Sequence, residues 1–431
     1  MTLNFRRNPI RALNQSARKF GELSYMNLGL TKFYLLTSPS EIKRILDLDH
    51  RVFLKGPTLQ KWKAILGDGL ISSEGELHHR DRRLMVPAFH KAMIASYAGV
   101  VSAETAKTME GWKEDELMDV HREMANLTLT VVAQCLFSAE IGDELDPVAR
   151  AMAKAVDHYD KMAAPGGKLI GKVLLSESRD YDAAERHLIS VVDKIIAKRR
   201  ASGKDEGDML SMLFNAEKMG EGMMTDRQVR DETITFLLVG HETTAVLLTW
   251  TWYLLSMYPQ AAEKLHAEVD GVLDGGRVAA YEDIPRLQYT NKVLTESLRI
   301  FPPIWAIGRR PIRAYKIGDY VIPANSMIMM SQIVNHHDPR YYKHPEAFDP
   351  DRWTPEMKAK LPKYSYFPFG GGPRTCIGEP FAWMEGTLIL ASIARRWRLE
   401  HDPSHRVVLS PKITLRPKDG MWMRGFRRPS R

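Results

Sequence analysis

The most informative segment of this sequence is Phe367-Pro-Phe-Gly-Gly-Gly-Pro-Arg-Thr-Cys-Ile-Gly-Glu-Pro-Phe381. It places Cys376 in a loop rich in glycine and proline, directly before a predicted helix from about Pro380 to Arg396. The N-terminus of that helix and free backbone N–H groups supply the positive surroundings that a thiolate needs. The loop glycines carry no side chains, so a large flat ligand can approach the backbone, and Arg374 can pair with a carboxylate of that ligand. The segment therefore predicts a cysteine that binds a ligand, not an inert core residue.

Five residues of this segment, in the order Phe369, Gly372, Arg374, Cys376 and Gly378, match the signature F-x-x-G-x-R-x-C-x-G. In this motif the chain resembles the cytochrome P-450 family of haem-thiolate monooxygenases. The resemblance implies a mainly α protein with small β-sheets (α+β), the cytochrome P-450 fold, in which a long central helix lies over the haem. It also implies that Cys376 is the metal ligand, bound axially to the iron of haem b, and that Arg374 pairs with a haem propionate. Phe369 and Gly378 are expected at the cofactor too.

A second match is the Glu-x-x-Arg pair Glu296 and Arg299, on a helix predicted from Leu287 to Phe301. Residues three apart on a helix face the same way and can pair. The pair alone is commonplace, but Phe301-Pro-Pro303 and Phe348-Asp-Pro-Asp-Arg-Trp353 follow it. Together they resemble the Glu-Arg-Arg triad of the same family, completed here by Arg352. The resemblance implies a role in stabilising the core rather than in catalysis.

A third match, Val239-Gly-His-Glu-Thr-Thr244, lies inside a helix predicted from Thr225 or Asp226 to Pro259. An acid and two hydroxyls among leucine and valine side chains are costly to bury unless they have partners or a function. A glycine in mid-helix costs about 1 kcal/mol relative to alanine, which suggests that something flat or close packs against Gly240. The segment resembles the family's oxygen-activation motif. It therefore implies catalytic roles for Glu242 and Thr243 and a cofactor contact at Gly240.

A fourth match is the pair His78 and Arg82, whose i,i+4 spacing lets both side chains reach one carboxylate. In the family a Trp or His and an Arg at this spacing bind a haem propionate, and the resemblance implies that role here. The register of His79 with Arg83 is an open alternative.

A further propionate contact is implied at Arg309, with its neighbour Arg310 as the alternative.

Two positions depart from the family pattern. Val239 replaces a small residue and would crowd the pocket on the oxygen side of the haem. Asn325 stands where the family commonly has glycine in a strand turn, and because asparagine tolerates the left-handed conformation, the turn is expected to survive.

Composition excludes several other classes of protein. The 431 residues are 44% hydrophobic and 26% charged, which is not the composition of a collagen-like, low-complexity or wholly disordered chain. Two cysteines cannot form a disulfide scaffold or a four-cysteine zinc or iron–sulfur site, so a reducing compartment is expected. The net charge of +8 comes from basic residues interleaved with acidic ones, so no nucleic-acid partner is expected.

Localisation is predicted to be cytoplasmic, without a transmembrane anchor. The first twenty residues lack the apolar region of a signal peptide. The longest apolar stretch, residues 234–258, is interrupted by the polar residues of the third match, which favours a buried core helix over a membrane span.

Domain organisation is predicted to be a single haem domain over residues 1–431, because no repeat and no linker divides the chain. A helix-rich part is expected beside a smaller β-rich part, with Lys418-Asp-Gly420 as a hairpin turn. The β-rich part is expected from about residues 20–40, 310–335 and 405–428.

The function implied by the resemblance is insertion of one oxygen atom of O₂ into an apolar organic substrate such as a fatty acid, a terpenoid or a steroid-like molecule. Substrate walls are expected by analogy at Ile304 to Ile307 and at Met421-Trp422, among other segments. Alternatives are a peroxide-driven peroxygenase of the same fold and a non-catalytic haem sensor or carrier. The intact Glu242–Thr243 pair argues against both alternatives.

Electrons are expected from NAD(P)H through separate partners, because the chain ends soon after the cysteine helix and its strands, without a fused reductase. A ferredoxin or flavodoxin with its reductase fits, docking an acidic face on basic residues near Cys376. The candidate basic residues include Arg80, Arg83 and Lys91, and the protein is expected to be a monomer.

Overall fold

The computed structural model describes residues 5, 8–28, 31–152, 154, 175–218 and 224–429. Within these residues most of the chain is α-helical, with short 3₁₀ segments and one π-helical segment, Arg44–Leu48, between the helices. The α-helices, numbered α1 to α15, are Pro9–Phe20, Pro39–Lys43, Pro57–Lys61, Lys63–Leu66, Gly75–Met85, Lys91–Glu110, Val120–Phe137, Leu175–Ser202, Met209–Lys218, Asp226–Met257, Pro259–Val272, Gln288–Ile300, Gln332–Asn335, Pro355–Lys360 and Glu379–Arg396.

The strands form four small sheets within the described part of the chain. Numbered β1 to β12, they are Leu23–Leu28, Thr31–Leu36, Phe53–Lys55, Leu117–Asp119, Ile307–Pro311, Tyr315–Ile317, Tyr320–Ile322, Met327–Met330, Trp397–His401, Leu409–Pro411, Leu415–Pro417 and Trp422–Arg427. The largest sheet has the order β1-β2-β8-β5-β3, and the others are β4-β12-β9, β10-β11 and β6-β7. The fold is the predicted one, mainly helical with small sheets.

The central helix is α10, 32 residues and on the order of 50 Å long. A capping box starts it: the Thr225 hydroxyl accepts the N–H of Gln228, and the Gln228 side chain accepts the N–H of Thr225. The helix ends at Met257 because Pro259 begins α11, and a residue that precedes a proline is driven out of the helical region. The long helix predicted from Thr225 or Asp226 is therefore confirmed.

Helix α7 packs along the middle of α10. A Cβ on Gly240 would lie 3.1 and 3.3 Å from the methyl carbons of Val132, and the Thr128 hydroxyl donates to the carbonyl of His241 at 3.0 Å. The close approach predicted at Gly240 is real, but its partner is another helix. The missing side chain of Gly240 therefore leaves room for α7, and the cofactor contact expected at this glycine stays a prediction.

The β-rich part differs from prediction in two places. Residues 312–314, inside the region expected to be β-rich from 310 to 335, lie outside the strands, because β5 ends at Pro311 and β6 begins at Tyr315. At the end of the same region, β8 ends at Met330 and is followed by the short helix α13. Its apolar residues are as compatible with a buried helical turn as with a strand, so hydrophobicity alone could not separate the two.

Two predicted turns have different outcomes. Asn325 has φ +62°, so the left-handed turn survives as expected, and its Oδ1 accepts a hydrogen bond from Arg310 at 2.8 Å. Lys418-Asp-Gly420 forms a turn with Gly420 at φ +82°, but it is not a hairpin. It connects β11 and β12, which belong to different sheets, because β12 pairs with β4 and β9.

The Glu-Arg-Arg triad is assembled as expected, with Glu296 and Arg299 fully buried. The Glu296 carboxylate accepts two hydrogen bonds from Arg299 at 2.7 and 2.9 Å and one from Arg352 at 2.9 Å. The Trp353 indole donates to it at 2.8 Å, and the Asp349 N–H at 3.0 Å. A buried ion pair with this many hydrogen bonds fixes the chain that leads to the cysteine loop, which is a structural role.

Among the described residues, no single helix is both long and apolar enough to cross a bilayer. One pair, Gly75–Phe89 with Lys91–Glu110, reaches the required length only across a bend of 59°.

Candidate active site

The cysteine loop ends at α15, as predicted. The Cys376 N–H donates to the carbonyl of Phe369 at 2.9 Å, which closes the loop just before the helix. Glu379 opens the helix with Gly378 as its cap residue, and proline occupies the first turn. The thiol therefore lies beside a helix N-terminus, where backbone N–H groups have no partner within the helix.

At two glycines of this loop, the surrounding protein leaves no room for a side chain. Gly372 has φ +67°, and a Cβ there would lie 1.9 Å from the carbonyl oxygen of Leu46. A Cβ on Gly371 would overlap the ring of Tyr364. Only at Gly378 would a side chain project beside the sulfur, 3.9 Å from Sγ. The sequence suggested that all of these glycines allow a ligand to approach the backbone. The geometry supports this role at Gly378, whereas at Gly371 and Gly372 the missing side chain makes room for neighbouring protein atoms.

The Cys376 side chain is exposed, yet the surrounding protein desolvates it enough to raise its pKa to about 11. Three features act in the opposite direction: the backbone N–H groups of Gly378 and Glu379 and the cation of Arg82. These donors would stabilise a thiolate once a metal ion displaces its proton. Cys135, the other cysteine, is buried, and burial raises the pKa of its thiol, as expected for a cysteine packed in the core.

Helix α5 presents His78 and Arg82 inward, while His79 and Arg83 are exposed. Arg82 Nη1 donates to the carbonyl of Thr375 at 2.8 Å, next to Cys376. Burial, together with nearby cations, lowers the pKa of His78 to about 3, so its imidazole is neutral. Of the two registers that the sequence left open, the geometry favours His78 with Arg82.

A group of cations lies beside the cysteine loop. Arg309 is buried, and burial followed by the charge of Arg374 lowers its pKa to about 10. Arg310 instead bonds to Asn325 and is less buried, so the geometry favours Arg309 over its neighbour. Arg374 pairs with Glu74 at 2.5 Å, and its buried Nη1 has no hydrogen-bond partner among the described residues.

Lys55 and Glu74 belong to this site and were missed from the sequence. Lys55 lies opposite Arg309 in the antiparallel β3–β5 pair, and its Nζ donates to the carbonyls of Leu70 and Ser73 at 2.9 and 2.7 Å. Burial lowers the pKa of Lys55 to about 7. Two cations directly opposite each other in a sheet repel. Neither Lys55 nor Glu74 belongs to a recognised motif. Only the strand register could have revealed Lys55, and only the ion pair with Arg374 could have revealed Glu74.

These observations fit the two carboxylates of a haem. Lys55, Arg82, Arg309 and Arg374 converge on one place, and the carboxylate bound among them is Glu74. The unpartnered nitrogen of Arg374 and the repelling pair in the sheet would both be satisfied by added anions. Together with the exposed thiol of Cys376, the donor set matches a haem that carries iron at its centre and anionic groups at its edge.

The middle of α10 is buried except at Val239, Gly240, Glu242 and Thr243, which are half-buried. The Thr243 hydroxyl donates to the carbonyl of Val239 at 3.0 Å, the i−4 bond expected for a threonine in mid-helix. Glu242 Oε1 accepts a hydrogen bond from the Thr414 hydroxyl at 2.8 Å and lies 3.9 Å from Arg416 Nη1. The predicted acid and hydroxyl are adjacent in sequence, and the acid is held by the β10–β11 hairpin.

The carboxyl of Glu242 is ionised despite its burial. Burial alone would raise its pKa, but nearby positive charge, above all that of Arg416, lowers it below the ordinary value. A different acid, Glu385 of α15, is fully buried, and burial raises its pKa to about 8, opposed only in part by the Thr244 hydroxyl. Sequence analysis missed Glu385 because a single acid in an apolar helix carries no motif.

Of the substrate walls expected by analogy, the structure is compatible with Ile304 to Ile307 but not with Met421-Trp422. Residues 304–307 are half-buried and follow α12, and the Trp305 indole donates to the carbonyl of Lys412. Met421 is fully buried and donates its N–H to Asp119 at the start of α7, and Trp422 stacks on His405. The hairpin turn at residues 412–414 takes their place next to α10.

Comparison with known proteins gives a consistent result. A family model described as Cytochrome P450 matches residues 1–423. The chain is 40% identical to cyclooctatin synthase of Streptomyces melanosporofaciens over 413 residues, which cover 95% of this chain and 89% of that protein. It is 37% identical over 406 residues to cyclooctat-9-en-7-ol 5-monooxygenase of the same organism, covering 93% and 87%.

More distant matches agree with these. Pentalenene oxygenase of Streptomyces avermitilis is 30% identical over 403 residues, which cover 92% of this chain and 88% of that protein. Among solved structures, the haem domain of cytochrome P450DA superposes with a TM-score of 0.88 at 27% identity, covering 98% of this chain and 94% of that one.

Proposed function

The chain belongs to the cytochrome P450 family and is a monooxygenase, and from this premise we propose that it hydroxylates a terpenoid with electrons from separate redox partners. The observation that carries the proposal is the pairing of an exposed thiol at a helix N-terminus with the half-buried Glu242–Thr243 segment of α10. The overall reaction takes substrate R–H, O₂, two electrons and two protons to R–OH and water.

Binding of the cofactor falls to residues of the cysteine loop, α5 and the β3–β5 pair. Cys376 would ligate the haem iron, and the haem so held supplies the activation of O₂. Arg82, Arg309 and Arg374, with His78 and Lys55 beside them, would hold the propionates. A carboxylate next to Lys55 raises its pKa, so haem binding is expected to complete the protonation of that side chain.

Proton handling falls to Glu242 and Thr243. Glu242 is ionised, so it can accept a proton from the solvent side and pass it on. The Thr243 hydroxyl is held by the carbonyl of Val239, and it can donate toward the accessible face of α10 when that bond is exchanged. Buried leucines on either side of this segment exclude water from the rest of the helix.

A terpenoid substrate is supported by the relatives and by the half-buried apolar residues near α10. Two relatives are named for cyclooctat-9-en-7-ol and pentalenene. Val239 and the segment Ile304 to Ile307 are half-buried and apolar, apart from the indole nitrogen of Trp305, which is already bonded. An apolar substrate is what such walls would select.

An acidic redox partner is supported by the exposed basic residues near the cysteine loop. Arg83 and Lys91 are exposed on α5 and α6, while Arg82 of the same helix contacts Thr375 of the loop. Arg80 and Arg374 are less available, because they pair with Asp81 and Glu74. A ferredoxin or flavodoxin would therefore dock on the face formed by α5, α6 and the loop.

The test is the carbon monoxide difference spectrum of the dithionite-reduced protein. We expect a haem-thiolate spectrum from the wild type and from Cys135→Ala, and its loss in Cys376→Ala, because only the second variant removes the iron ligand. A colourless wild-type protein after reconstitution, or an unchanged spectrum in Cys376→Ala, contradicts the assignment.

Substrate and electron source are tested on the same preparations. Pentalenene and cyclooctat-9-en-7-ol should shift the ferric spin state, and polar compounds of similar size should not. Turnover should be faster with a ferredoxin and its reductase than with hydrogen peroxide. Equal rates would indicate a peroxygenase, and no product from either source would indicate a haem carrier.

A further inference from the structure

The hairpin formed by β10 and β11, Leu409–Pro417, is fastened to α10 at two places. The carbonyl of Leu415 accepts a hydrogen bond from the Trp250 indole at 2.6 Å, and the Thr414 hydroxyl donates to Glu242 Oε1 at 2.8 Å. Trp250 and Glu242 are eight residues apart on the same helix. The hairpin therefore follows the helix over about 12 Å.

The opposite side of the hairpin is fixed to the segment that follows α12. The Leu415 N–H donates to the carbonyl of Pro303 at 2.8 Å, and the Trp305 indole donates to the carbonyl of Lys412 at 2.6 Å. Thr414 is buried, and the Arg416 side chain is only 11% exposed. With partners on both sides, the hairpin can hold a side chain of α10 in one orientation.

The charge around Glu242 is dominated by one cation. Arg416 of β11 lies 3.9 Å from the carboxylate. From α7 the nearest titratable group is His121, which bonds to Thr249 and has Asp119 beside it, and from α10 itself it is His241, which bonds to the carbonyl of Leu237. Burial lowers the pKa of both histidines, so both are neutral near pH 7 and Arg416 carries the permanent charge.

We propose that Arg416 and Thr414 are positioning residues for Glu242. The Thr414 hydroxyl fixes the direction of the Glu242 carboxylate, and the Arg416 guanidinium keeps that carboxylate ionised. In this way the hairpin determines how well protons reach the oxygen site. The proposal rests on the monooxygenase function proposed above. Without the contacts from Thr414 and Arg416, the Glu242 side chain could turn away and its carboxylate could take up a proton. Reduced oxygen would then leave as hydrogen peroxide, formed from O₂, two electrons and two protons, instead of being used for R–OH and water.

The direct test does not need turnover. Infrared difference titration of the substrate-free ferric protein can follow the Glu242 carboxyl, assigned by its absence in Glu242→Gln. We expect the apparent pKa of Glu242 to rise in Arg416→Gln and to stay near the wild-type value in Arg416→Lys and in the control Arg424→Gln. Arg424 is an exposed arginine of β12 that pairs with Asp115. An unchanged titration in Arg416→Gln overturns the proposal.

The functional test measures how electrons divide between product and peroxide, with cyclooctat-9-en-7-ol as the probe and a ferredoxin system as the donor. Arg416→Gln and Thr414→Val should raise the peroxide share severalfold while KM changes less than twofold, and Arg416→Lys should restore coupling in part.

In the Glu242→Gln background, Arg416→Gln should cause no further rise in the peroxide share. An additional loss in that double variant means that Arg416 acts independently of Glu242 and overturns the proposal. Each variant is first checked for the carbon monoxide spectrum, so loss of haem binding is recognised separately.

Discussion

Lys55 and Arg309 show how one residue pair concentrates the charge of the site. They are register partners on neighbouring strands, and both have lowered pKa values because burial disfavours their charged forms. Natural sheets seldom place two cations opposite each other, because the pair costs stability. The anionic edge of a cofactor lying against both side chains would offset that cost. Cofactor binding would then be coupled to the stability of the sheet.

Among the described residues, Glu385 is, with Glu232, one of two buried acids whose pKa is raised to about 8 by burial. Its pKa of about 8 in the folded protein lies above its ordinary value of 4.5, so the folded state keeps a proton that the unfolded chain has lost between these values. Stability should therefore fall as pH rises through that window, by up to about 1.4 kcal/mol per pH unit.

The prediction is tested with the holoprotein by denaturant unfolding from pH 6 to pH 9. Glu385→Gln should flatten the decline and should be more stable than the wild type at pH 9, because it keeps the volume without the ionisation. The exposed Glu263 provides the control, and Glu263→Gln should follow the wild-type curve. Parallel curves for Glu385→Gln and the wild type would contradict the buried ionisation.

The cysteine loop tolerates an added side chain differently at two of its glycines. Gly370 and Gly372 both have left-handed φ values, +74° and +67°, but a Cβ at Gly370 meets nothing within 4 Å, whereas one at Gly372 overlaps the carbonyl of Leu46. A left-handed alanine costs roughly 1–2 kcal/mol at either position. At Gly372 the loop must also move away from the π-helical segment Arg44–Leu48.

We expect Gly370→Ala to lower stability by about 1–2 kcal/mol and to keep the haem-thiolate spectrum. Gly372→Ala should cost at least twice as much and reduce haem content, because displacement of the loop moves Cys376. Haem-to-protein ratio and denaturant midpoint measure both effects. Equal losses in the two variants would mean that packing against Leu46 does not matter.

The whole molecule is predicted to be one folding unit. The five-stranded sheet joins strands near residues 23–55 to strands near residues 307–330, β4 pairs with β12 near the C-terminus, and Arg82 bonds to Thr375. Within the described residues, dividing the chain at any one position would separate strands that pair in the same sheet or residues that bond across the division. We therefore propose that the predicted single haem domain is correct.

Calorimetry of the holoprotein tests this proposal. A single transition is expected, with loss of the haem absorption and loss of helical circular dichroism at the same temperature. Two separated transitions, or a proteolytic fragment that folds and keeps the haem, would show that the helix-rich and β-rich parts are independent domains.

The sequence by itself determined those features that depend on residue type and on spacing over a few positions. The signature around Cys376 identified the family and the iron ligand as an expectation, the capping residues and Pro259 bounded the central helix, and the Glu-x-x-Arg pair indicated the buried network. Asn325 could be placed in a left-handed turn because that preference is a property of the residue. Each of these depends on neighbours within a few positions along the chain.

Tertiary structure decided what depends on partners far apart in the chain. Lys55 becomes a site residue only through its register with Arg309, Glu242 is directed by a hairpin about 170 residues away, and Gly240 packs against Val132 of another helix. The choice between His78 and His79, and between Arg309 and Arg310, also needed the fold. Strand register, burial and long-range ion pairs arise from packing in three dimensions, and a linear pattern does not encode which distant side chain fills a given space.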